Sequence, residues 1–108
     1  MRKIASNYLL NDNKIIEFGY FIFNGVKVVG ITTLNREQPE EHGVEFYAGL
    51  LVPGKVDLIG AMEGERIDEY LDRVGYWEGS ERVGITLVCN LDWSTMRITS
   101  ETDVKRLG

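Results

Sequence analysis

The residues with the clearest potential for chemistry lie in one polar segment, 35–43 (NREQPEEHG). It contains the single histidine of the chain, His42, next to Glu40 and Glu41. An imidazole and two carboxylates are ligand types that bind zinc and related divalent metals. Adjacent residues on a loop rarely converge on one ion, however, because successive side chains point in different directions. A solvated loop is therefore the favoured interpretation.

The remaining reactive groups are the single cysteine, Cys89, and the carboxylates of the segment Glu63–Val74. Cys89 lies in an apolar run, Gly84–Leu91, which favours a small buried thiol. The carboxylates fall on the outer faces of a predicted helix, and nothing in the pattern desolvates one relative to another. No Ser or Cys nucleophile has a recognisable base beside it, and the glycines form no phosphate-binding loop before a helix. Neither a catalytic residue nor a cofactor is predicted.

Length and charge limit the classes of function. The 108 residues suit one domain and are too few for an eight-fold α/β barrel, which needs roughly 200 or more. A net charge of −5, with basic runs no longer than the pairs Arg2-Lys3 and Lys105-Arg106, argues against a nucleic-acid partner. One cysteine allows no intrachain disulfide, and no signal peptide or membrane-spanning run is visible. We expect a cytoplasmic protein with no membrane partner.

Strand patterns dominate the first third of the chain. Segments 2–10, 14–23 and 26–34 are rich in β-branched and aromatic residues, and the turn 11–13 joins the first two. Asn24-Gly25 predicts a two-residue type I′ hairpin turn, since both central residues of such a turn need positive φ. Met96–Thr99 predicts a further short strand, with Arg97 exposed.

One helix is predicted, over Glu63–Val74, with Gly75 at its C-terminal cap. Four apolar residues recur there at i, i+3, i+4 and i+7: Ile67, Tyr70, Leu71 and Val74. Regularly spaced turns between six or seven short strands predict a mainly β, α+β fold of the small sandwich or barrel type. Four aromatic residues are candidates for its core or an interface: Phe21, Phe23, Tyr47 and Trp77.

The stretch Val44–Ala61 (VEFYAGLLVPGKVDLIGA) predicts a strand, a Pro53-Gly54 turn and a second short apolar strand. Its residue pattern resembles one segment of the metal-dependent amidohydrolases of the chlorohydrolase and guanine-deaminase-like branch. In those proteins the segment leads from a small β domain into the catalytic barrel. There the pattern is G-x-x-V-P-G-hydrophobic-V-N-x-H-x-H, whose two histidines bind metal. The residues that match are Gly49, Val52, Pro53, Gly54 and Val56. Ile59 and Ala61 occupy the histidine positions, so the resemblance lacks the metal ligands.

Two further segments resemble the same family in the same order. The opening hairpin is similar to its first strands, on Gly19, Phe21, Phe23, Gly25 and Val28. The C-terminal part is similar to its return from the barrel and its closing pattern. The matching residues there are Gly75, Trp77, Glu78, Gly84, Ile85, Leu87, Val88, Asp92, Trp93, Met96, Arg97, Ile98, Thr99, Thr102, Val104 and Leu107. Ser80, Glu81 and Val83 depart from the Gly, Lys and Pro of the family.

The resemblance implies a composite β-sandwich domain whose barrel is absent from these 108 residues. Residues 1–58 correspond to the N-terminal half of the sandwich, 59–75 to a connecting helix and 76–108 to the C-terminal half. The family's hydrolysis of C–N bonds needs a metal that lowers the pKa of water from about 15.7 to near 7. One histidine cannot build that site, so we expect neither a metal nor intrinsic hydrolysis.

Three interpretations of function stay open. The first is a non-catalytic β-sandwich module, either a natural remnant of an amidohydrolase gene or the product of a deliberate barrel deletion. The second is an assembly or binding module, a homodimer through the former barrel face, because large apolar patches are rarely left bare. The third is a subunit of a metal-dependent hydrolase whose barrel is on another chain. The sequence identifies no small-molecule ligand.

Overall fold

The computed structural model describes residues 1–33, 43–78 and 82–108. Its elements are β1 (Arg2–Asn11), β2 (Lys14–Phe23), β3 (Val28–Thr33), β4 (Val44–Pro53), α1 (Ile67–Arg73), β5 (Ile85–Cys89) and β6 (Asp103–Arg106). The prediction of a mainly β domain with one helix is confirmed. His42, Glu40 and Glu41 lie outside the described residues, as do Ser80 and Glu81. In the described part of the chain, no helix is long and apolar enough to cross a membrane.

All six described strands belong to one mixed sheet, in the order β3-β2-β1-β4-β5-β6. Neighbouring strands are antiparallel except β1 and β4, which run parallel at the centre of the sheet. The pairing of β4 with β5 joins the N-terminal four strands to the C-terminal two. The sheet is therefore continuous from one end of the sequence to the other.

The type I′ geometry predicted for Asn24-Gly25 is found instead in the turn between β1 and β2. Asn11 pairs with Lys14, and the two residues between them, Asp12 and Asn13, have φ of 48° and 63°. Positive φ at both positions is the mark of a type I′ turn. The loop after β2 is longer, because Phe23 pairs with Val28. There the Asn24 carboxamide oxygen accepts the N–H groups of Val26 and Lys27, so the side chain stabilises the turn.

The sheet is strongly coiled, so that two diagonally opposite corners meet. Arg2 and Phe23 are paired at one end of β1 and β2, whereas Ile85 begins β5 at the opposite end of β4. Nevertheless, the Gly84 N–H donates to the Val26 carbonyl over 2.6 Å. The Arg2 guanidinium donates to the Leu107 carbonyl over 2.9 Å and holds Glu45 through two further bonds of 2.8 and 2.9 Å. Coiling of this kind encloses one face of the sheet.

That enclosed face holds what we call the interior cluster. Its side chains are at most 4% exposed: Ile4, Leu9, Phe21, Phe23, Leu51, Ile85 and Leu87. Two of the four predicted core aromatics, Phe21 and Phe23, are therefore fully buried. The other two are half-buried, Tyr47 against the interior cluster and Trp77 on the opposite face of the sheet.

The opposite face is covered by segments 55–77 and 91–98, which we call the cap. Seven cap side chains pack on four from the sheet: Val56, Ile67, Tyr70, Leu71, Leu91, Met96 and Ile98 on Leu10, Leu50, Val52 and Val88. The predicted strand after Pro53-Gly54 is wrong, since residues 55–58 are irregular. The buried Thr86 hydroxyl donates to the Gly54 carbonyl and accepts the Val56 N–H, which lets the chain leave the sheet there.

The cap also shortens the predicted helix and strand. Residues 64–67 pair with 96–98 instead of coiling: the Gly64 N–H donates to Ile98, the Ile98 N–H to Glu65 and the Ile67 N–H to Met96. The helix therefore begins at Ile67 rather than Glu63. For the same reason the predicted strand 96–99 is reduced to isolated bridges at Arg97.

Gly75 ends the helix as predicted. Its N–H donates to the Asp72 carbonyl and the next N–H, of Tyr76, donates to Leu71, the two bonds of a Schellman motif. A φ of 68° at Gly75 makes this geometry possible at little steric cost. Val74 lies outside the core at 48% exposure, so only three residues of the predicted apolar face are buried: Ile67, Tyr70 and Leu71.

Truncating the interior cluster should destabilise the fold. We expect Phe21→Ala to lower the free energy of unfolding by ~3–5 kcal/mol, because it leaves a cavity between the coiled strands. Phe46→Ala is the matched control, since Phe46 on β4 is 63% exposed and fills no cavity. Urea unfolding measures both variants. Equal midpoints for the two would contradict the placement of Phe21.

Candidate functional site

The positions of the missing metal ligands lie on the cap, where Ile59 borders a small cleft of about 240 Å³. Ile59 is 75% exposed, and its carbonyl accepts the Tyr70 hydroxyl over 2.6 Å. Ala61 is half-buried, and its N–H donates to the Leu58 carbonyl over 3.1 Å. Both backbones thus help to fold the segment before α1. Among residues 1–33, 43–78 and 82–108, no three His, Cys, Asp or Glu side chains cluster as metal ligands would.

A cleft of about 590 Å³ opens at the centre of the sheet, where β4 bulges between β1 and β5. Ser6 pairs with Tyr47 and Tyr8 with Leu50, so Ala48 and Gly49 together oppose the single residue Asn7. Seven residues define what we call the bulge cleft: Asn7, Tyr8, Ala48, Gly49, Cys89, Asn90 and Trp93. Bulges are enriched beside active sites because they interrupt pairing and redirect side chains.

The bulge is held open by specific contacts. The Gly49 N–H, which has lost its ladder partner, donates to the Asn7 carboxamide oxygen over 3.0 Å. A Cβ at Gly49 would lie 2.7 Å from the Val88 carbonyl oxygen, so a larger residue would push β5 away. The floor of the bulge cleft therefore depends on a glycine at this position.

An aromatic pair forms one wall. The rings of Tyr8 and Trp93 are stacked, with centroids 5.5 Å apart and planes inclined by 14°. Trp93 is brought there by the chain reversal after β5, which begins at Asn90 with a φ of 61°. The hydroxyls of Thr99 and Thr102 both donate to the Asn90 carbonyl, over 3.0 and 2.9 Å, and fix this reversal.

Cys89 is half-buried and borders this cleft, so it is more exposed than the small buried thiol that the sequence favours. The apolar run identifies β5 correctly, but Cys89 is its last residue and lies beside the reversal at Asn90. Arg97 is exposed as expected and donates to the Gly64 carbonyl within the cap. Neither residue takes part in a recognisable catalytic arrangement with described neighbours.

A second polar and aromatic group lies after the helix. The Arg82 guanidinium lies 5.1 Å from the ring centre of Tyr76 and 4.9 Å from that of Trp77, and donates to the Tyr76 carbonyl. The Trp77 indole N–H donates to the Asn13 carboxamide over 2.7 Å. The Tyr76 hydroxyl donates to the Pro53 carbonyl. These bonds tie the end of the cap to the β1–β2 and β4 turns, so the group is a clamp for the fold.

Sequence reasoning missed the bulge cleft. Its residues come from four separate stretches, and none has an unusual spacing. The one local signal is Gly49 between apolar residues of a predicted strand, since an isolated glycine in a strand often marks a bulge.

Comparison with known proteins finds no matching family model, no matching curated protein and no matching solved structure.

The clamp makes a prediction about alkaline pH. Burial raises the pKa of Tyr76 to about 12, against the opposing influence of the Arg82 charge. A raised pKa favours the neutral phenol in the folded state, so its stabilising contribution is complete below pH ~10 and is lost as the pH rises towards 12. In an absorbance titration of the five tyrosines, we expect one to ionise near 12.

Tyr76→Phe should remove the tyrosine ionisation near pH 12 from the titration. Because the variant lacks the phenol with the raised pKa, its free energy of unfolding should fall less than that of the wild type between pH 8 and 11. Tyr47→Phe is the control, because the Tyr47 hydroxyl donates to the partly exposed Glu45 carboxylate rather than to a buried carbonyl. A component near 12 that persists in Tyr76→Phe would contradict the assignment.

Proposed function

We propose that these residues form a non-catalytic β module related to the composite domain of metal-dependent amidohydrolases, in the chlorohydrolase and guanine-deaminase-like branch. The observation that carries the proposal is the cap. In that family a catalytic barrel packs beside the β domain, whereas here Ile67, Tyr70 and Leu71 of the short helix bury themselves on the sheet. In this proposal the capped face of the sheet corresponds to the one that a barrel covers in the family, and the chain's own side chains take its place.

The sheet geometry supports the finer proposal that the module is a sandwich. Coiling brings the Val26 loop and Arg2 against Gly84 and Leu107, so strands from opposite halves of the sheet lie over each other. Two layers related by a coiled corner, with apolar side chains between them, are one form of orthogonal β packing. In this proposal the N- and C-terminal halves of the composite domain meet along β4 and β5.

The same proposal predicts no intrinsic hydrolysis. Ile59 and Ala61 offer no metal-binding atom, and their backbones serve the cap. We expect the purified chain, incubated with equimolar zinc and passed through gel filtration, to retain no stoichiometric metal and to release no ammonia from amide, amidine or amino-heterocycle substrates. Stoichiometric zinc or iron together with hydrolysis would overturn the proposal.

A second candidate function is assembly with another copy, and the edge strand β3 favours it. Its sequence, VVGITT, has no charge and no proline, and Val29 and Ile31 are 47% and 37% exposed. Within the described residues, no strand pairs with its outer edge. Natural proteins usually protect such edges with charge or proline. The opposite edge, β6, is protected in this way, because Asp103, Lys105 and Arg106 make up three of its four residues.

A second copy is the occupant we propose for this edge, rather than for the former barrel face, which the cap covers. Antiparallel pairing of β3 with its own copy about a two-fold axis makes the surface self-complementary. It would continue the sheet and cover Val29 and Ile31 across the new pair.

The mass in solution tests this assembly. Light scattering after gel filtration should give twice the mass of one chain at high micromolar concentration. Ile31→Lys should give the monomer mass, because two like charges would face each other across the axis. Met62→Lys is the control, since Met62 is an exposed apolar residue on the cap and not on β3. A wild-type monomer throughout, or equal loss in both variants, would exclude the β3 interface.

A further inference from the structure

The bulge cleft has a composition that restricts what it can hold. Of the described residues that line it, none carries a formal charge. The chain as a whole has a net charge of −5. A phosphate or carboxylate would find no cationic partner among these lining residues, and the net negative charge of the chain would not attract it. The surroundings therefore favour an uncharged compound.

The cleft also presents polar groups that the fold does not use. The carboxamide oxygen of Asn7 accepts the Gly49 N–H, but its amide nitrogen has no partner within the described chain. The same holds for the side-chain amide of Asn90, the Tyr8 hydroxyl and the Trp93 indole N–H, all of which line the cleft. Together they supply several donors and at least two acceptors. Asn7 and Asn90 are exposed, so a ligand would exchange solvent for these groups. Polar groups beside an apolar wall are typical of small-molecule sites.

The aromatic wall restricts the shape. Tyr8 and Trp93 are stacked, so each ring covers one face of the other and only an outer ring face or the ring edges can border the cleft. An outer ring face is flat and apolar. Flat apolar surfaces of this kind pack against the faces of ring compounds. The volume of about 590 Å³ is within the range of ligand pockets and exceeds what a single ordered water needs.

We propose that the bulge cleft binds an uncharged ring compound with polar groups at its edge, packed on the Tyr8–Trp93 wall and hydrogen-bonded to Asn7 and Asn90. Two sources share this chemistry: a neutral sugar and a neutral heterocycle such as a nucleoside. The inference is independent of the β3 interface and of the amidohydrolase relationship, because the cleft lies at the centre of the sheet, two strands away from β3.

Cys89 provides a readout in the unmodified protein. It is the only cysteine of the chain and borders the cleft, so its alkylation by iodoacetamide reports on occupancy. A bound ring should slow alkylation severalfold at saturation. We expect affinities in the micromolar to millimolar range, as is usual for ligands of about a dozen heavy atoms. The probes are neutral monosaccharides and nucleosides, each compared with its phosphate ester.

Asn7→Asp tests the geometry. Aspartate keeps the oxygen that accepts the Gly49 N–H but removes the amide donor and adds a negative charge, so the affinity should fall at least ~5-fold. The matched control is Asn24→Asp in the β2–β3 turn, where the Asn24 oxygen likewise accepts backbone N–H groups but lies outside the cleft. Saturation-transfer NMR on the ligands measures both variants without relying on Cys89.

Each outcome decides the proposal. Protection by sugars alone or by nucleosides alone, lost in Asn7→Asp and kept in Asn24→Asp, supports it and identifies the source. Tighter binding of the phosphate esters would overturn the preference for an uncharged ligand. Absence of protection and of saturation transfer at high millimolar concentrations of every probe would overturn the site itself. Equal weakening in both variants would show that the binding lies elsewhere.

Discussion

Strand β4 is apolar on both faces from Leu50 to Pro53, and the rest of the structure depends on burying both of them. A chain of this length has little material for two cores, and a half-exposed central strand would forfeit about 25 cal/mol for each Å² of apolar surface left in water. The two faces are covered by different means. Coiling of the sheet encloses Leu51, whereas the cap covers Leu50 and Val52. The parallel β1–β4 pair at the centre is compatible with this arrangement, since parallel pairs are normally buried on both sides.

The polar contacts around these cores position the chain more than they stabilise it. The Arg2–Glu45 pair has two short bonds, but both side chains are more than a third exposed, which limits its contribution to about 1 kcal/mol. The pair mainly orients the Arg2 guanidinium, which also donates to the Leu107 carbonyl and so joins the two corners of the coiled sheet. Thr86 acts similarly on the other face. Its buried hydroxyl serves both Gly54 and Val56, so the chain turns out of the sheet without leaving polar backbone unsatisfied.

Local chemistry made the first third of the fold predictable and the cap only partly so. Alternating β-branched and aromatic residues located β1, β2 and β3, and Gly75 located the end of α1 through a conformation that glycine adopts easily. The start of α1 was not predictable, because pairing of residues 64–67 with 96–98 overrides the helical pattern from more than 25 residues away. The prediction of the turn type at Asn24-Gly25 was wrong because a side chain took part in the turn. Asn24-Gly25 favours a two-residue turn, yet the Asn24 side chain stabilises a longer one. The bulge cleft required the register of β1 and β4, which no short window of sequence contains.

The location of the bulge cleft follows from the same constraint that organises the fold. Complete pairing of β4 with β1 and β5 would leave a smooth, sealed sheet, and every central polar group would be used in the ladder. One extra residue in β4 breaks the ladder at Gly49, where the flanking strands are held rigidly by the two cores. A break in the ladder is tolerated when the freed backbone groups find other partners, and here the Asn7 carboxamide oxygen accepts the Gly49 N–H. Tyr8 lies on β1, and two hydrogen bonds to the Asn90 carbonyl fix the reversal that carries Trp93, so ordering the aromatic wall would cost a ligand little. The exposed apolar residues of the cap, Ile59 and Met62, lie on irregular backbone and offer no comparable preorganisation.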